Sequence, residues 1–126
     1  MSKTIFVIEP DINFSLSLNA KLGLLDHRIV SHASYLHNNI ILSLKDHDPD
    51  MVLIELGDNP NYSLELVHKI KTEKLEPSFK VIIYTDRYSN VLEERSLLYG
   101  ADYVYDKNIL SIDELVNRIH RILSHA

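Results

Sequence analysis

The sequence has 126 residues, 45% hydrophobic and 25% charged, which fits one globular domain with its own core and is too short for two. It contains no cysteine, so disulfide frameworks and thiolate sites are excluded. A net charge of -5 argues against direct nucleic-acid binding, and no apolar run approaches a signal peptide or the ~18 residues of a membrane span, so a cytoplasmic protein off the membrane is expected.

The first apolar run, TIFVI at 4–8, predicts a strand that ends at Glu9. Residues 12–25 then place Phe14, Leu18, Leu22 and Leu25 at helical steps of three and four. A weaker strand signal, RIVSHA at 28–33, precedes a less regular helical stretch over 34–48. In PDMVLIELGDNP, the run Met51–Ile54 is apolar on both faces and reads as a strand buried on both sides. Glu55 sits where that strand surfaces, and Gly57-Asp58-Asn59-Pro60 reads as the turn that follows. A carboxylate there is costly unless partnered.

The second half repeats the alternation. A helix is expected over 63–75, with Leu66, Ile70 and Leu75 on its apolar side. KVIIY at 80–84 is the third strong strand, running into Thr85 and Asp86. The next helix, 89–100, carries Val91, Leu92, Arg95 and Leu98 and stops at Gly100, a residue suited to a C-terminal cap. A weaker strand, DYVY at 102–105, leads to Asp106 and Lys107. The last helix, 111–125, opens with the capping-box pair Ser111 and Glu114 and shows a stripe of Ile112, Leu115, Ile119 and Ile122.

Five strand–helix pairs in this order predict an α/β fold: a five-stranded, doubly wound parallel sheet with helices on both faces, in one domain over 1–126. Function in such sheets gathers at the carboxyl ends of the strands, which singles out Glu9, Glu55, Thr85-Asp86 and Asp106-Lys107. Lys107 is the cation expected to pair with Glu55. Other features have plainer readings. The seven histidines show no helical zinc spacing and are expected at the surface, with no metal. Gly23, Gly57 and Gly100 are too scattered to cradle a phosphate. Tyr103 and Tyr105 alternate as packing residues do, and the mixed charges of 86–95 suit a solvated helix start.

The strand-end residues give the chain its likeness to a known family. TIFVIEPD, PDMVLIEL, VIIYT and GADYVYDK, together with the helix LELVHKIK, resemble in order the receiver domain of bacterial response regulators. The resemblance covers nearly the whole chain. It implies a phosphate-accepting aspartate after the third strand, an acidic pair after the first that helps hold Mg²⁺, and a hydroxyl and a lysine that receive phosphoryl oxygens. Glu55 stands at the acceptor place, Glu9 opens the acidic pair, and Thr85 and Lys107 match the hydroxyl and the lysine. Pro10 replaces the second acid, with Asp11 one place late, and Asp86 and Val104 replace the usual small residue and aromatic ring.

Proline brings no ligand atom, and glutamate carries its carboxylate one methylene too far for the tight octahedral ligation that Mg²⁺ demands. The resemblance therefore implies an atypical pseudo-receiver. It is not an enzyme, takes no cofactor, and signals through protein contacts without Mg²⁺-dependent aspartyl phosphorylation. Its partner would be a histidine kinase, an output domain or another signalling protein, with a homodimer possible. By position, the partner face would use Arg95, Tyr99, Val104, Asp106 and Asn117. Two readings of Glu55 stay open, an internal imitation of phosphoaspartate and a tolerated acid at a decayed site. Two further functions compete: a conventional phosphorylated regulator rescued by Glu9, Asp11 and Asp58, and a small flavodoxin-like enzyme or nucleotide binder.

Overall fold

The computed structural model describes residues 2–33, 36–73 and 79–125. Its strands are β1 (Thr4–Ile8), β2 (Arg28–His32), β3 (Met51–Ile54), β4 (Lys80–Thr85) and β5 (Tyr103–Asp106). The helices between and after them are α1 (Ile12–Gly23), α2 (His37–His47), α3 (Pro60–Thr72), α4 (Asn90–Tyr99) and α5 (Ile112–Ser124). All the strands are parallel, in the order β2-β1-β3-β4-β5. This is the doubly wound arrangement that the alternation predicts. The expected ends of the helices near residues 34–35 and 74–75 lie outside the described residues.

Successive side chains of a strand point to opposite faces, so an all-apolar strand feeds two cores at once. Phe6, Ile8, Val52, Ile54, Val81 and Ile83 face α2, α3 and α4. Ile5, Val7, Met51, Leu53, Ile82 and Tyr84 face α1 and α5, where Leu18, Leu22, Leu115, Ile119 and Leu123 close the second layer. The continuous apolar runs were legible because β1, β3 and β4 are covered on both sides.

Local chemistry sets the helix ends. Ser111 Oγ accepts from the Glu114 amide at 3.1 Å, and the Glu114 carboxylate accepts from the Ser111 amide at 3.0 Å, completing the capping box. Gly100 ends α4 at φ 118°, where a Cβ would meet Lys71 Cγ at 2.8 Å, so the position needs glycine for both reasons.

Three expectations are corrected. α3 begins at Pro60, not 63, because Asn59 caps it by accepting from the Tyr62 amide at 3.2 Å and Pro60 occupies the first helical position. The inner face of α4 is Leu92 and Ser96, leaving Val91 and Leu98 exposed; Ser96 tolerates burial because its hydroxyl donates to the Leu92 carbonyl at 2.7 Å. His27 is buried rather than at the surface, with Nε2 3.0 Å from His120 Nδ1.

Candidate functional site

Strand β1 lies between β2 and β3, so the chain leaves the sheet in opposite directions at the carboxyl ends of β1 and β3 and opens a crevice there. The backbone fixes three side chains at that edge. The Glu9 amide donates to the His32 carbonyl at 2.9 Å, the Glu55 amide to Ile8 at 3.0 Å, and the Lys107 amide to Thr85 at 2.9 Å. Each residue thus stands one step beyond its strand, still tied to the neighbouring strand, and this holds its side chain over the crevice.

Their side chains meet. Lys107 Nζ lies 2.8 Å from Glu9 Oε1 and 2.7 Å from Glu55 Oε2. The other oxygen of each carboxylate accepts from backbone: Glu9 Oε2 from the Asp11 amide at 3.1 Å, and Glu55 Oε1 from the Gly57 amide at 3.2 Å. Glu9 and Glu55 are only 4% and 7% exposed, so these contacts replace the water that each charge gives up. The ammonium also sits 4.4 Å from the centre of the Phe14 ring and 5.4 Å from that of Tyr84. Burial alone would lower the Lys107 pKa, but hydrogen bonds to Glu55 and Glu9, with their charges, outweigh it and hold the pKa above the ordinary value. Tyr84 donates its hydroxyl to the Leu110 carbonyl at 2.6 Å; burial raises its pKa against the opposing charge of Lys107.

The remaining strand-end residues are placed differently. Asp11 Oδ1 accepts from the Asn13 and Phe14 amides at 3.0 and 3.2 Å, so this acid caps α1. Asp58 is paired with Arg87 at 2.7 Å, its side chain 99% exposed, and Asp86 is exposed as well. Thr85 is fully buried, with Oγ1 accepting from the Arg87 amide at 3.1 Å. The residues present do not fit the Mg²⁺ ion that the resemblance implies. Pro10 offers no ligand atom, Asp11 is committed to its cap, and a lysine ammonium lies between the two buried carboxylates. Among the described residues, no group of three or more His, Asp and Glu side chains is placed to hold a metal.

The five residues assigned by position to a partner face differ in exposure. Val104 is buried, and Arg95 turns to α3, where it donates to Asn61 Oδ1. Tyr99 is half-buried against the His68 ring, and Asp106 accepts from the Asn108 amide at 2.9 Å. Asn117 is exposed. Beside Val104, a cavity of about 300 Å³ opens between β5 and α5, lined by Tyr88, Tyr105, Ile109 and Arg118 among others. The Arg118 guanidinium lies 5.0 Å from the Tyr105 ring centre.

Sequence reasoning missed Phe14 and Tyr84 beside the ammonium, the second carboxylate on Lys107, and Arg87 as a further cation at the rim. Phe14 carried a signal, since its apolar step opens α1 directly after the acidic cluster.

No protein-family model and no curated protein matches the sequence. Solved structures match it closely in shape. A response regulator from Thermotoga maritima superposes with a TM-score of 0.83 at 20% identity, over 98% of this chain and 99% of that one. The chain has the receiver fold. HP1043, an orphan response regulator of H. pylori, gives 0.79 at 24% identity over 94% of each chain. The beryllofluoride-activated DrrB receiver domain gives 0.80 at 20% identity over 98% of this chain and 99% of that one. Within this receiver fold, Glu9, Glu55 and Lys107 occupy the crevice that the fold places at its topological switch point. Among the described residues, no helix is long and apolar enough to cross a membrane.

Proposed function

We propose that residues 1–126 form an atypical receiver domain of two-component signalling, cytoplasmic and not an enzyme, that works through protein contact without Mg²⁺-dependent phosphorylation. The observation that carries this reading is the Lys107 ammonium held at 2.8 and 2.7 Å between Glu9 and Glu55. A working acceptor pocket needs carboxylate oxygens turned toward a metal and a phosphoryl donor. Here a tethered cation supplies the positive charge, and both carboxylates are already bonded to it and to backbone amides.

The same contact favours imitation over decay. A relic acid would turn to water, whereas Glu55 is buried and reaches the lysine that the resemblance assigns to a phosphoryl oxygen. On this reading the domain stays in one signalling state. Val104, which lacks the ring the family uses as a switch, supports the same conclusion. The partner is a protein, either a histidine kinase, an output domain or another signalling component, and it meets the side formed by α4, β5 and α5.

Beryllofluoride is the discriminating probe, since it activates the DrrB receiver domain. With Mg²⁺ present, beryllofluoride should show no saturable binding here, and acetyl phosphate should add no phosphoryl mass and leave the sedimentation profile unchanged. Saturable binding, or a stable phosphorylated carboxylate found by mass spectrometry, would overturn the proposal.

A further inference from the structure

Helix α1 is apolar on two sides. Leu18 and Leu22 are buried in the sheet-facing layer, as expected of a surface helix. On the outward side, Ile12, Leu16 and Leu24 are 69%, 61% and 88% exposed. With Ala20, also exposed, they follow one another at steps of four and form a single ridge. Leu24, the capping residue, keeps helical geometry at φ -63° and ψ -22°, so the ridge runs the full length of the helix. Helices that are apolar all round are normally covered.

The ridge is also free of charge. The only charged residue in α1 is Lys21, and its ammonium is held 2.7 Å from Asp113 of α5. The exposed neighbours Asn13 and Ser17 are neutral. Every other helix carries both signs: Lys45 and Asp46 on α2, Glu65 and Lys69 on α3, Glu94 and Arg95 on α4, Glu114 and Arg118 on α5.

We infer that the outward face of α1 pairs with the α1 of a second copy of this chain. The net charge of -5 sets copies against one another, and the repulsion is least where a neutral helix meets its equal. A charged partner would find no side chain there to pair with. Two identical four-step ridges interdigitate about a twofold axis at roughly -50°, and Ala20, near the centre, lets the backbones approach. Helices α1 and α4 pack on opposite faces of the sheet, so this pairing leaves α4 open. One helical ridge covers less than the ~1,200–2,000 Å² of a standard interface, which places the dimer in the micromolar range or weaker.

Sedimentation equilibrium up to about 300 µM, at about 0.05 and 0.5 M salt, tests the idea. The full chain should dimerise at both salts, no more weakly at the higher. Leu16→Glu should weaken dimerisation by at least about 30-fold, and Leu98→Glu on α4 should leave it unchanged. The chain lacks cysteine, so Ala20→Cys supplies a second readout that needs no disruptive substitution: mild oxidation should trap a disulfide-linked dimer. A wild-type chain that stays monomeric throughout, as it would if α1 serves a different protein, would overturn the inference. So would a dimer lost in Leu98→Glu but kept in Leu16→Glu, or failure of the Ala20→Cys protein to cross-link.

Discussion

Lys107 Nζ and Glu55 Oε2 are 2.7 Å apart, and the same ammonium is bonded to Glu9, so one lysine serves two buried carboxylates. This asymmetry governs what each substitution does. Lys107→Met strips the cation from two carboxylates that are almost fully buried, while Glu55→Gln leaves Lys107 still paired with Glu9. Breaking a buried pair costs ~3–5 kcal/mol and an exposed one ~0–1 kcal/mol; with Lys107 19% exposed, about 1–3 kcal/mol is expected here. Urea denaturation should show Lys107→Met losing more stability than Glu55→Gln, and the double variant losing less than the sum. Strict additivity would mean that the two side chains do not interact.

The raised Lys107 pKa gives the pocket an alkaline limit. A cation whose pKa is higher folded than unfolded contributes stability that is complete below the unfolded value, about 10.4, and is lost as pH rises through the folded one. The stability difference between wild type and Lys107→Met should therefore hold constant through neutral pH and shrink above about pH 10.5. A difference that shrank on acidification alone would place the pairing charge elsewhere.

Mg²⁺ should find no site in this crevice. Backbone amide shifts at residues 9–11 and 55–58 are the place to look, since the Asp11 and Gly57 amides already donate to the two carboxylates. A titration should drift linearly without saturating. Saturation at or below about millimolar Mg²⁺ would show that the ion displaces the lysine.

How much of this was legible depended on range. β1, β3 and β4 were plain because each is buried on both faces and so carries an unbroken apolar run, at 5–8, 51–54 and 81–83. The Glu55–Lys107 pair was legible for the same reason: both residues end strands, and a strand-end carboxylate needs a cation. Asn59-Pro60 was misread because a turn signal and a helix start use the same residues, and only the bond to the Tyr62 amide separates them. Phe14 and Tyr84 reach Lys107 from α1 and β4, a convergence that no local spacing encodes. Burial of Val104 and the turn of Arg95 toward Asn61 were not legible, because packing sets them and alignment does not.

His27 was likewise hidden, since nothing near it in sequence points to His120 on the last helix. Its ring is buried, with Nε2 against His120 Nδ1, and its Nδ1 has no hydrogen-bond partner among the described residues. Burial first, and then the neighbouring His120, lower its pKa, against smaller opposing pulls from Asp26 and Asp50. A histidine held neutral in the fold contributes stability that is complete above the unfolded value, about 6.5, and is lost as pH falls through the depressed folded value. The joint between the α1–β2 corner and α5 should therefore weaken on mild acidification. Denaturation midpoints measured from pH 7.5 down to about 5 should fall more steeply for wild type than for His27→Leu, which cannot take up the proton. Imidazole resonances followed by NMR should show His27 titrating below its ordinary range. Parallel pH profiles for the two proteins, or a His27 pKa at or above about 6.5, would show that the pair carries no such linkage.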